Sequence, residues 1–178
     1  MAQPSSLSFS HVGIYVRDMA LMERFYAGTL GMIVTDRGNL GDVVLVFLST
    51  TPDEHHELVL ASGRPAEVAF NVVNQISFRV GSLAELKSLH TQLVAFPVTD
   101  VQPVTHGISW SIYCRDPEGN RVELFVDSPW YVDQPVRVPI DLNASEDEIV
   151  RETETMCRDL PGFTSRENWQ ANFPRKLS

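Results

Sequence analysis

The chain has 178 residues, 43% hydrophobic and 21% charged, the make-up of one folded domain or two small modules, which excludes wholesale disorder. Lys and Arg number 14 against 23 Asp and Glu, a net charge of −9; without a basic stripe, neither nucleic acid nor anionic membrane is an expected partner. The longest apolar run, Val43 to Leu48, is too short for a bilayer span, Met1 to Leu7 lacks the basic flank and apolar run of a leader, and Cys114 and Cys157 carry no zinc spacing, so a cytoplasmic protein is expected.

The elements follow in chain order. Phe9 to Val16 alternates apolar and polar residues as a strand does. Met19 to Thr29 sets Met22, Phe25, Tyr26 and Leu30 at helical spacing, with Gly31 as the stop. Met32 to Arg37, Val43 to Leu48 and Glu57 to Ala61 read as strands between turn residues. After a linker at Ser62 to Val72 the same series returns. Asn74 to Val80 is a strand, and Ser82-x-x-Glu85 is a capping box opening a helix with Leu83, Leu86, Leu89 and Leu93 on one face. Strands follow near Val98 to Val104, Ser109 to Cys114 and Arg121 to Asp127. The fold class is therefore α+β: two tandem βαβββ modules, residues 8–61 and 73–128, together 8–128. Residues 129–178 form a tail that Pro129, Pro135 and Pro139 hold extended, with a short acidic helix opened by Ser145-x-x-Glu148. Trp130, Tyr131, Phe163 and Trp169 in that polar tail are expected to dock on the body or on a second subunit, and a homodimer is expected.

The repeat marks the candidate chemistry. His11 and Gln75 open equivalent strands and lie 64 residues apart; Glu57 and Glu123 lie 66 apart in equivalent strand sequences. One offset accounts for both pairs. Modules that pack symmetrically bring equivalent residues together, so His11, Glu57, Gln75 and Glu123 form a candidate metal set. One imidazole, two carboxylates and an amide suit Fe(II), Mn, Zn or Ni. A hairpin centred on Glu118 in Asp116-Pro117-Glu118-Gly119-Asn120 sets Tyr113 opposite Glu123 on one face of the sheet. A lone Glu on an apolar strand is costly to bury unless it is paired or binds metal.

His11-Val-Gly-Ile-Tyr-Val-Arg-Asp18, Phe25-Tyr26, Leu30-Gly31 and the run Asp116 to Glu123 resemble the vicinal oxygen chelate superfamily, whose paired βαβββ modules build a cupped metal site. A finer pattern, Val104-Thr105-His106, five residues, Ile112-Tyr113, Asp116-Pro117-x-Gly119 and Glu123, resembles the signature of type I extradiol ring-cleavage dioxygenases. That resemblance implies Fe(II) on His11 and Glu123, His106 and Tyr113 as catalytic groups beside a catechol and O₂, and Gln75 at the position of the family's second His ligand. It implies a dioxygenase acting on a catechol or related vicinal-diol aromatic. The four-ligand set His11, Glu57, Gln75 and Glu123 also resembles the glyoxalase I branch, which implies a metal-dependent isomerase or lyase; a non-catalytic small-molecule binding protein is the third reading. Phe47 and Trp110, with Ile112 and Phe125, are expected to line the substrate pocket. Of His55 and His56, which alternation sends to opposite faces of a strand, one is expected at its mouth; His56 is taken as substrate-binding.

Overall fold

The computed structural model describes residues 9–68, 70–96 and 98–172; the opening segment weighed above as a leader lies outside them. The chain divides into two units, 1–71 and 72–178.

The first unit opens with β1 (Val12–Val16) and α1 (Met19–Glu23). Asp18 caps this helix, its carboxylate accepting from the Leu21 amide. The single α-helix expected to Thr29 instead widens to π-helical turns over Arg24–Thr29, where Leu30 N donates to Phe25 O at 3.0 Å. Such i→i+5 bonds have no sequence signature of their own. Three strands follow: β2 (Ile33–Leu40), β3 (Val43–Ser49) and β4 (Leu58–Ser62). The sheet order is β1-β4-β3-β2, with β1 parallel to β4 and the rest antiparallel. Met22, Phe25 and Tyr26 are fully buried, as are Leu58 and Leu60 on β4, against which α1 packs. This is the face that pays for the ordering of the chain.

The second unit repeats the series with β5 (Ile76–Arg79), α2 (Leu83–Ala95), β6 (Thr99–Thr105), β7 (Ser109–Arg115) and β8 (Arg121–Asp127). Ser82 caps α2, accepting from Glu85 N at 3.1 Å, while the Glu85 carboxylate takes the Gly81 amide at 2.8 Å. Leu83, Leu86 and Leu93 are buried on α2, which packs on β7 and β8. In the tail come β9 (Trp130–Tyr131), β10 (Val138–Pro139), α3 (Glu146–Arg158), β11 (Thr164–Ser165) and α4 (Arg166–Ala171). The larger sheet has the order β10-β6-β7-β8-β5, with β5 parallel to β8. The tail thus adds an edge strand, and α4 joins the acidic helix expected from the sequence. Ser165 opens α4 by accepting from Asn168 N at 3.1 Å.

The turn between β7 and β8 sets the register on which the site depends. Asp116 Oδ1 accepts from Glu118 N (3.0 Å) and Asn120 N (2.8 Å), its Oδ2 takes Asn120 Nδ2 at 2.7 Å, and Gly119 adopts φ +83°. The pinned turn leaves Tyr113 facing Glu123, as the sequence implies.

Candidate active site

In the second unit a polar cluster forms where β5, β7 and β8 lie side by side. Glu123 is 7% exposed. Its Oε2 accepts from Gln75 Nε2 at 2.8 Å and from Ser77 Oγ at 2.7 Å, Ser77 being its partner across the parallel β5–β8 pair. Its Oε1 stands 3.8 Å from His106 Nε2. His106 Nδ1–H donates to the Val136 carbonyl at 2.5 Å, and Nε2 lies 3.0 Å from the Tyr113 hydroxyl. The tail therefore selects the tautomer of this imidazole. Gln134 Nε2 adds a hydrogen bond to the His106 carbonyl at 2.9 Å. Gly107, at φ +75°, permits this approach: a Cβ there would lie 2.6 Å from Val132 Cγ2.

Burial, then the hydrogen bond and charge of Glu123, push the Tyr113 hydroxyl up to about 12, although Arg121 and Arg137 act the other way. Their guanidinium carbons lie 4.4 and 5.1 Å from the Tyr113 ring centroid. Tyr113 is thus a neutral hydrogen-bond donor at ordinary pH. Ser111 shares its face of β7 by strand alternation, and its buried hydroxyl has no hydrogen-bond partner among the described residues. Beside the cluster opens a cavity of about 370 Å³ lined by Gln102, Val104, Arg137 and Ile140 among others; Gln102 faces Tyr113 across β6 and β7.

In the first unit, Val12 pairs with Leu58, and Val12 N donates to Glu57 O at 3.0 Å, so His11 and Glu57 flank one end of the β1–β4 pair. Glu57 lies one residue before β4. Its Oε2 accepts from Thr50 N at 2.7 Å and Thr50 Oγ1 at 2.5 Å. His11 meets His56 with ring centroids 4.3 Å apart. Desolvation first, then the charges of His11 and His55, lower the His56 pKa.

The units bring together His11, His56 and Phe47 in one case, and Gln75, Glu123, His106 and Tyr113 in the other. His55 and His56 precede the strand, so alternation does not separate them: both rings meet Phe47, at 5.7 and 5.2 Å. Trp110 is a correction. It lies three residues from Tyr113 on β7 and hence on the other face, where its Nε1–H donates to Thr153 Oγ1 on α3 at 2.8 Å and its ring meets Trp130 edge-on. An apolar type near a pocket motif suggested a lining role, whereas strand parity assigns it to the core beneath the tail. Ile112 shares that parity. Arg79 pairs with Asp127 at 3.2 Å. Sequence reasoning missed Ser77, Ser111, Arg121, Val136 and Arg137. The parity of β5 and β7 would have found the two serines; no local signal marks the tail residues.

A buried carboxylate whose hydrogen-bond donors are neutral fits a divalent cation, and Gln75, spending Nε2 on Glu123 and Ser77, keeps its amide oxygen as an acceptor. Among the described residues, neither unit by itself gathers three His, Cys, Asp or Glu side chains that could hold a metal ion.

Residues 8–124 match the model of the Glyoxalase/Bleomycin resistance protein/Dioxygenase superfamily. The chain belongs to this superfamily. Most members of the superfamily are enzymes, and they generally use a divalent metal. The chain is 30% identical over 124 residues to biphenyl-2,3-diol 1,2-dioxygenase 3 of Rhodococcus globerulus, covering 67% of this chain and 63% of that protein; it thus spans less than two thirds of this relative's length. Among solved structures, a glyoxylase/bleomycin resistance protein/dioxygenase domain from Frankia sp. EAN1pec aligns with TM-score 0.60 and 22% identity, over 69% of this chain and 99% of that one. A lactoylglutathione lyase from Agrobacterium tumefaciens aligns with TM-score 0.51 and 23% identity, over 70% and 96%. These structural likenesses carry the superfamily fold, which hosts more than one chemistry. No helix among the described residues is long and apolar enough to cross a membrane.

Proposed function

We propose that the protein is an extradiol-type ring-cleavage dioxygenase acting on a catechol or related vicinal-diol aromatic, with Fe(II) on His11 and Glu123 and either Gln75 or Glu57 completing the set. The observation that carries this reading is the His106 imidazole, fixed by Val136 through Nδ1 and presenting Nε2 between Tyr113 and Glu123. The relative at 30% identity, named for a biphenyl diol, supports it.

A bound divalent metal would supply a Lewis acid for the diol's two vicinal oxygens to chelate and a place for dioxygen to react. His106 Nε2, which faces the Tyr113 hydroxyl, takes a proton from the substrate hydroxyl and returns it as the ring opens. Nδ1 keeps its proton on Val136 throughout, so the ring does not rotate during transfer. Tyr113 donates a hydrogen bond and stays protonated, since burial holds its pKa high. Both atoms of O₂ end in the product, so the balance needs no reductant. Phe47 and His56 are proposed to contact the substrate; Trp110 is not. A homodimer and a cytoplasmic location remain part of this proposal.

The test is O₂ uptake by Fe(II)-loaded protein with a panel of catechols, followed by the absorbance of the ring-opened product. No uptake with any diol would remove this reading.

One observation favours a second reading. Gln75 stands where the dioxygenase pattern has His, and four donors leave two open positions on an octahedral ion, enough for a chelating substrate and none for O₂. A glyoxalase-like isomerase fits that arithmetic. Turnover of a hemithioacetal by Zn- or Ni-loaded protein, without oxygen, would establish it.

A further inference from the structure

We propose that the substrate is an anion: an aromatic vicinal diol bearing a carboxylate, gripped by Arg121 and Arg137 beside Tyr113. The proposal rests on the ring-cleavage reading above and narrows its substrate class.

The charge pattern points to it. Arg37, Arg79, Arg115, Arg158 and Arg166 each meet a carboxylate. Arg121 and Arg137 meet none among the described residues. Arg121 rests on the Tyr113 ring, and Arg137 on the same ring while donating to the neutral Gln102 Oε1 at 2.6 Å. On a chain of net charge −9, two uncompensated guanidiniums at one aromatic ring make a local positive site that draws anions. Glu123 also bears on Tyr113, and a divalent ion held by that carboxylate would offset it and leave both positive charges for the substrate. A planar guanidinium matches a carboxylate through two parallel hydrogen bonds.

Space and origin agree with this. The adjoining cavity of about 370 Å³ includes Arg137 and Gln102 in its wall and is large enough for one substituted ring. Arg137 follows directly on Val136, whose carbonyl fixes His106. The same tail stretch therefore orients the proton acceptor and supplies the charge. It lies beyond residues 8–124 that match the superfamily, whereas Arg121 lies within them. The relative named for biphenyl-2,3-diol takes its name from a neutral compound.

The experiment is calorimetric titration of the full chain, supplemented with Mn(II) and kept free of oxygen, with catechol, 3,4-dihydroxybenzoate and benzoate. Dihydroxybenzoate is expected to bind at least about tenfold more tightly than catechol. Arg137→Gln and Arg121→Gln should each shrink that ratio, and Arg137→Lys should restore part of it. Equal binding of catechol and dihydroxybenzoate by the wild type, or an equal loss of both in the Gln variants, would overturn the proposal while leaving ring cleavage standing. Benzoate binding as tightly as dihydroxybenzoate would overturn the diol requirement, and the ring-cleavage reading with it. Failure of all three ligands to bind would overturn the anion grip.

Discussion

The two units share one series of elements and differ in where they keep their carboxylate. Val12 pairs with Leu58 in the first and Ile76 with Val122 in the second, 64 residues on in both strands. By that register the counterpart of Glu57 is Arg121, and Glu123 stands two residues deeper, opposite Ser77. The sequence match of Glu57 with Glu123 at 66 residues is therefore a match of strand composition and not of structural position. Two residues preserve the face but change the surroundings. Glu57 sits before its strand, half-buried and bonded to Thr50 in the adjoining turn. Glu123 is buried within its strand and bonded to Gln75 and Ser77. The repeat conserves the sheet while its polar residue moves along the strand.

That asymmetry is open to metal analysis. Glu123→Ala should reduce bound metal and activity to background, because it removes the buried charge around which Gln75, Ser77 and His106 are arranged. His11→Ala should lower metal content as well. Glu57→Ala should leave measurable metal, since its carboxylate is already satisfied by Thr50. Equal losses in Glu57→Ala and Glu123→Ala would erase the distinction between the units, and full occupancy in all three variants would end the four-ligand assignment. Stripping the metal from wild type with a chelator should likewise abolish turnover, and restoring Fe(II) should recover it.

A second contrast concerns histidines. His106 is anchored through Nδ1 and aimed by it; His55 and His56 share a hydrogen bond with each other in a turn. His106→Ala should lower kcat/KM by about 10²–10⁴, the usual effect of one acid–base group, with metal content retained. His55→Ala should change it only a few-fold. If His55→Ala proved the more damaging, the acid–base role would pass to the first unit. Gln75→His, which supplies the imidazole of the dioxygenase pattern, should keep or raise activity with Fe(II).

What the sequence revealed of all this depended on local signals. The β7–β8 hairpin was legible because Asp116, Gly119 and Asn120 can make only a tight turn there, and a turn fixes its register. His106, Tyr113 and Glu123 followed from one short motif on that hairpin. The role of Trp110 was misread because residue type was weighed above strand parity. Val136 and Arg137 were invisible: they reach His106 and Tyr113 from some thirty and twenty-four residues away along a Pro-rich stretch without periodicity. The second helix of the tail escaped because its six residues are too few to show a face.

The tail is the third contrast, since only the second unit carries one. Trp110 is 4% exposed and its indole N–H has Thr153 as its partner. Thr153→Val keeps the shape and removes the acceptor, leaving a buried donor unsatisfied. The expected cost is about 1–3 kcal/mol, read from the urea midpoint at constant m-value. An unchanged midpoint would mean that the tail is laid on the unit without contributing to its stability.

The smallest effect offers a sharper probe, because both cysteines belong to the second unit. Cys114 is buried on β7 and Cys157 on α3. Burial first, then the charges of Asp116 and Asp100, raise the Cys114 thiol from 9.0 to about 12; burial and Glu154 raise Cys157 as well. A thiol whose folded pKa is raised keeps its proton longer in the native state. The associated stability is therefore complete below pH 9 and falls away as pH climbs towards 12. The wild type should lose stability over that window, and Cys114→Ala should flatten part of the slope. At pH 8 neither thiol should react with a disulfide reagent unless the chain opens, since the thiolate is the nucleophile and both groups are inaccessible. Peptide mapping then separates two openings. Cys157 should be labelled first if α3 lifts away from the sheet on its own, and Thr153→Val should speed that labelling with little change at Cys114. Labelling of both thiols at one rate, in wild type and variant alike, would show that tail and sheet open together as a single cooperative body.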